Sequence, residues 1–172
     1  NKTAPSWSFL SYFALKEGMS FVFVQIGRRD LALKCYDELS NILTEPADMG
    51  ITSFGASIGS DAAVGVVDPE AKHFRTMLLS GSITELDFRT YLFARQVYLL
   101  LADRKYSEVA ERGLKFIATV ARRIAEEAST NPGTISPLLR DAWVFRAARS
   151  LADALAPAIP SSAVSAPSLS KQ

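Results

Sequence analysis

One helix-turn-helix pattern occurs twice in this chain, and that repetition restricts the fold more than any other feature. The first copy holds Phe13-Ala14-Leu15-Lys16-Glu17-Gly18 and runs into Gly27-Arg28-Arg29-Asp30-Leu31-Ala32. The second holds Asp87-Phe88-Arg89-Thr90-Tyr91-Leu92-Phe93-Ala94-Arg95-Gln96 and runs into Arg104-Lys105-Tyr106-Ser107-Glu108-Val109. In each, a bulky apolar helical segment meets a tight polar turn. Five positions after the first turn residue comes a small apolar side chain, Ala32 or Val109, where two helices press together. A chain that repeats such a unit builds a stack whose neighbours cover one another. The expected class is all-α, a tetratricopeptide-like helical-hairpin solenoid segment over residues 1–156.

The helices follow from period and punctuation. Helix A is expected from Ser6 to Ile26, ended by Gly27. It is apolar on most sides and needs more than one neighbour. Phe21-Val22-Phe23-Val24 has strand-like composition, but polar breaks at helical spacing favour helix. Helix B runs from Asp30, read as its N-cap, to Leu43, before Pro46. Residues 46–67 are rich in Gly and Ser and are expected to form an inserted flexible loop. Asp68-Pro69-Glu70 opens a short helix to Leu79. Ser82-Ile83-Thr84-Glu85 fits a capping box ahead of helix C, Glu85–Ala102, whose polar stripe is Glu85, Arg89, Gln96 and Asp103. Helix D, Tyr106–Ala128, carries a buried stripe that includes Val109, Gly113, Leu114, Ile117, Val120 and Ile124. Its outer face has Glu108–Arg112 and Glu111–Lys115 at favourable spacing. Helix E starts at Ser136-Pro137 and ends near Leu155. Residues 157–172 are Ser/Pro-rich and are expected to be disordered.

Chemistry-bearing motifs are few. Gly55-Ala56-Ser57-Ile58-Gly59 spells a nucleophile elbow, with Asp61, Asp68 and His73 downstream, yet no strand precedes it and no parallel sheet would hold it. One His and one Cys cannot assemble a zinc site, and no carboxylates have metal-loop spacing. No catalytic, cofactor-binding or metal-binding residue is therefore expected, and Ser57 is read as a loop residue. Net charge is +1 overall, which gives no sign of nucleic-acid binding. Its distribution is uneven: nine Lys/Arg against twelve Asp/Glu in residues 1–103, then nine against five in residues 104–149. That basic excess fits a solvated helix face or an acidic partner. Cys35 is the only cysteine, as expected in a reducing cytosol. The apolar run at residues 21–26 is far shorter than the ~20 residues that span a bilayer.

Two charges lie off the polar stripes. Arg95 is on the apolar side of helix C and Glu17 is in nearly the equivalent place in helix A. Buried charges must be paired, so Glu17 and Arg95 are the candidate structural ion pair, with Asp37 and Glu38 as alternative partners for Arg95. Arg89, and Phe116 on the flank of helix D, are candidate partner contacts.

Leu15-Lys16-Glu17-Gly18, Tyr36-Asp37-Glu38-Leu39 and the stretch Asp87–Gln96, in that order, together resemble the large subunit specific to the TRAPP II vesicle-tethering complex, over residues 6–128. The resemblance implies a fragment of an extended α-solenoid in a much longer subunit. It implies a non-catalytic scaffold role, with other TRAPP subunits as partners and a Rab-family GTPase served indirectly, because in that family the exchange chemistry belongs to the small core subunits. It also implies a cytoplasmic location peripheral to Golgi membranes. The residues alone leave an independent helical-repeat adaptor as the alternative. A segment cut from a solenoid exposes apolar surface at its ends, so self-association is also expected.

Overall fold

A computed structural model describes residues 9–43, 65–130 and 137–158. Six helices follow in chain order: α1 (Phe9–Gln25), α2 (Arg29–Ile42), α3 (Phe74–Leu79), α4 (Glu85–Ala102), α5 (Tyr106–Thr130) and α6 (Pro137–Leu155), with one 3-10 turn at Ala156–Ala158. Among the described residues there is no strand. The all-α class is as the sequence requires. Most of the loop expected at 46–67, Ser57 included, and most of the tail expected at 157–172 lie outside the described residues; Val66, at the loop's end, is buried among residues of α4 and α5.

Helices α1 and α2 form one hairpin, and α4 and α5 a second. α2 packs on α4, and α5 packs on α6. The second helix of each hairpin thus lies on the next helix of the stack, while α3 packs on α4. α4 is buried on nearly every side, with twelve buried residues. It belongs to both apolar cores. One joins Phe9 and Phe13 of α1, Tyr36 and Leu39 of α2, and Phe88 and Leu92 of α4. The other joins Phe93 and Val97 of α4 to Ile117 and Val120 of α5 and to Trp143 of α6. Leu33 touches both. Phe88 receives the rings of Phe9 and Phe13 edge-on, each with centroids 5.4 Å away.

The repeat register holds at atomic detail. Gly27 has φ +76 and Arg104 has φ +56, both left-handed. The Gly27 and Arg28 amides donate to the carbonyls of Val24 and Phe23, and those of Arg104 and Lys105 to Leu101 and Leu100. This paired pattern is a Schellman cap, which satisfies carbonyls that the helix end leaves open. Ala32 and Val109, five positions after each turn residue, are both 0% exposed, where the two helices of each hairpin meet.

Several local expectations give way. Asp30 is not the N-cap of α2: Arg28 holds that position without a side-chain bond, and Asp30 instead accepts a forked pair from Arg28 at 2.9 Å. The box at Ser82 is replaced by Thr84, whose hydroxyl accepts the Asp87 amide at 3.0 Å and donates to the Asp87 carboxylate at 2.7 Å. Asp68 makes a turn by accepting the Glu70 amide, and helix begins only at Phe74. Leu114 is exposed, not buried, because the contacts of α5 with α4 and α6 leave that side open.

A non-glycine residue in the left-handed region costs about 1 kcal/mol or more. Arg104→Gly is therefore expected to raise the thermal midpoint by roughly 2–4 °C, and Gly27→Ala to lower it by a similar amount. Paired melts by circular dichroism check both signs.

Candidate functional site

Two residues of the α4 polar stripe, Arg89 and Gln96, lie on the floor of a groove. The groove has a volume of about 440 Å3, with Asp37, Ser40 and Asn41 of α2 on one wall and Arg112, Phe116 and Thr119 of α5 on the other. Arg89, Leu92, Phe93 and Gln96 of α4 lie between them. α2 and α5 pack on different flanks of α4, so the cleft between them is a direct product of the hairpin stacking.

Its central polar groups bond one another. Gln96 is 7% exposed; its amide donates to the Asp37 carboxylate at 2.9 Å and the Ser40 hydroxyl at 3.1 Å. Arg112 reaches across from α5 with two bonds to Asp37, 2.6 and 3.3 Å, and another to Glu108. Asp37, half-buried, therefore ties three helices together by accepting from Gln96 of α4 and Arg112 of α5. At the other end Arg89 donates to Glu85 at 2.7 Å and to the carbonyl of Leu43 where α2 stops. Glu85 also receives Arg123 of α5. Arg89 lines a second, adjoining cleft of about 200 Å3 between α4 and α5.

Both residues nominated as partner contacts line this groove. Arg89 does so at its floor. Phe116 does so from the wall, its ring stacked on Phe93 with centroids 4.3 Å apart and 5° between planes, and 6.1 Å from Trp143 of α6. The Asp37–Gln96–Arg112 cluster was not singled out from the sequence. Gln96, a lone amide within the apolar run that continues to Leu101, was the available signal.

Glu17 and Arg95 lie on the other side of α4, and the structure does not join them as an ion pair. Glu17 accepts the Tyr91 hydroxyl and pairs with Arg75 at 3.2 Å. Burial, first, and the Glu17 carboxylate hold the Tyr91 phenol well above its ordinary value, so Tyr91 stays neutral and donates. Arg95 donates to the Tyr36 hydroxyl at 3.0 Å, with its guanidinium 5.7 and 5.9 Å from the ring centres of Tyr36 and Tyr91. Its carboxylate partner is Glu70, at 3.8 Å and itself largely exposed. The alternatives are taken: Asp37 serves Arg112, and Glu38 pairs with Lys16. Tyr91 is thus the link between the two charges, one bonded to its hydroxyl and the other over its ring.

Among the described residues, no group of three His, Cys, Asp or Glu side chains is placed to hold a metal ion. Cys35 is buried, and that burial raises its thiol pKa, which suits packing and not nucleophilic attack. No helix among the described residues is long and apolar enough to cross a membrane.

A subunit 130 homologue specific to trafficking protein particle complex II from Arabidopsis thaliana is 32% identical over 154 residues, 88% of this chain. Trafficking protein particle complex subunit 10 is 32% identical in Homo sapiens and 28% in Dictyostelium discoideum, each across 84% of the chain. The chain is homologous to one segment of these large TRAPP II subunits. It spans only 12% of the Arabidopsis relative and 10% of the Dictyostelium one. No family model and no solved structure matches it.

If Arg95 is held by rings more than by charge, Arg95→Ala costs about 2–3 kcal/mol of stability through lost packing and hydrogen bonding, whereas Glu70→Gln stays within about 0.5 kcal/mol, as for an exposed pair. Urea denaturation of both variants separates the two contributions; equal losses would make the ion pair the stronger partner.

Proposed function

We propose that this chain is a non-catalytic scaffold segment of a TRAPP II-type vesicle-tethering and Rab-exchange complex acting at Golgi membranes. The observation that carries the reading is the 32% identity to a TRAPP II-specific subunit across 88% of the chain. The all-helical stack supports it: its polar groups are spent on tying helices together, as in Asp37–Gln96–Arg112. In this reading the exchange chemistry resides in other subunits, and the chain reaches a Rab GTPase and the membrane only through them.

The α2–α5 groove is the surface assigned to another TRAPP subunit. Its floor offers Leu92 and Phe93 with Phe116 beside them, and its rim offers Asn41, Thr119 and Lys115. Leu92, Phe93 and Phe116, interspersed with the polar Arg89 and Gln96, suit a helix or an extended segment anchored by one large apolar side chain. The same concavity favours the second reading, an independent helical-repeat adaptor that captures a peptide.

Thr119 is exposed on the groove wall, so Thr119→Trp should fill the cleft without disturbing the core. Affinity purification of the tagged full-length subunit from cells should recover the remaining TRAPP subunits, and Thr119→Trp should reduce at least one of them tenfold or more while the melt stays unchanged. The isolated chain should not accelerate nucleotide release from any Rab tested. Normal assembly with Thr119→Trp would remove the groove from the interface. Recovery of no TRAPP subunit would end the scaffold reading.

A further inference from the structure

α1 carries an apolar stripe that nothing in the described structure covers. Leu15 is 60% exposed, Val22 55% and Ile26 64%, with Met19 at 36%. Their spacing of four, three and four places them along one face of the helix. Gly18 lies beside this stripe, and a Cβ built there meets nothing within 4 Å.

The repeat register identifies this face. Setting Gly27 on Arg104 sets Leu15 on Leu92, Met19 on Gln96 and Val22 on Leu99. Leu92 and Leu99 are two of the four α4 residues buried in the core shared with α1 and α2, beside Phe88 and Tyr91, and Gln96 bonds to Asp37 and Ser40 of α2. The positions exposed on α1 are therefore those through which α4 receives the second helix of the preceding hairpin. Both second helices present, α2 and α5, lie on the following first helix, α4 and α6. Among the described residues no second helix lies on α1 in this way, and the relatives are far longer than this chain.

We infer that the Leu15–Met19–Val22–Ile26 face of α1 docks the second helix of a further hairpin of the same polypeptide, packed as α2 packs on α4. The face also specifies that helix. Met19 stands where α4 has Gln96, so the incoming helix is apolar where α2 carries Asp37 and Ser40; an aspartate there would be buried without a donor. Gly18 and Ala14 stand where α4 has Arg95 and Tyr91, so the two backbones approach more closely than α2 and α4 do. The register marks the face, and the greater length of the relatives leaves room for the covering helix in the same polypeptide.

The test supplies the missing helix. A copy of residues 28–43 bearing Asp37→Leu and Ser40→Ala is joined ahead of Asn1 by a flexible Gly/Ser linker. The thermal midpoint should rise by several degrees over the 172-residue chain. Val22→Glu should abolish that rise in the extended chain while shifting the 172-residue chain by no more than about 1 °C, as for an exposed site. A copy that keeps Asp37 and Ser40 should give a smaller rise, restored by Met19→Gln. No rise from the apolar copy, or a rise that survives Val22→Glu, overturns the inference. So does sedimentation of the 172-residue chain as a dimer that Val22→Glu dissolves, because the face would then belong to a second copy.

Discussion

Everything in this fold depends on α4 being enclosed. A helix with neighbours on nearly all sides cannot leave its polar side chains to water, so each must find a partner on an adjacent element. Asp87 takes Lys72 at 2.7 Å and the Thr84 hydroxyl, Gln96 takes α2, and Arg89 takes Glu85 and the end of α2. Tyr91 takes Glu17 of α1. Each of these fixes one neighbour at one height along α4. Apolar burial supplies the attraction, and the polar links select a single register from the several that a greasy helix would otherwise accept.

The same enclosure generates the groove. α2 and α5 reach α4 from different flanks and are tied to each other by the Asp37–Arg112 fork. Where α5 faces α6, a Cβ on Gly113 would collide with the Leu151 side chain. The equivalent position in the first hairpin is Tyr36, which meets Arg95. The two inter-hairpin junctions follow one plan with different spacers: a phenol against a guanidinium in one, a bare backbone against a leucine in the other.

Much of this architecture was legible because it is local and periodic. The limits of α4, Glu85 and Ala102, follow from apolar spacing, and the hairpin turns from a left-handed position followed by a small apolar residue. The caps at Asp30 and Ser82 were misread because cap chemistry is necessary but not sufficient: Thr84, two residues beyond Ser82, has the extended backbone that lets its oxygen meet an amide. The stripe containing Arg89 and Gln96 looks solvated in one dimension because α2, 56 residues away from Gln96 at Ser40, is what covers it. The need to neutralise Glu17 and Arg95 was readable from their place on apolar helix faces. Their actual partners, Arg75 and the rings of Tyr36 and Tyr91, were not, since long side chains choose among several groups within reach.

Because α4 is a member of both apolar cores, neither hairpin has a hydrophobic interior that is wholly its own. Two separate cores would let one hairpin detach while the other stayed folded, as beads slide on a string. Here a pull on α1 loads Phe88 and Tyr91, and through the same rigid helix loads Phe93 and Val97 against α5 and α6. The two hairpins therefore hold or fail together, because one helix supplies part of the interior of each.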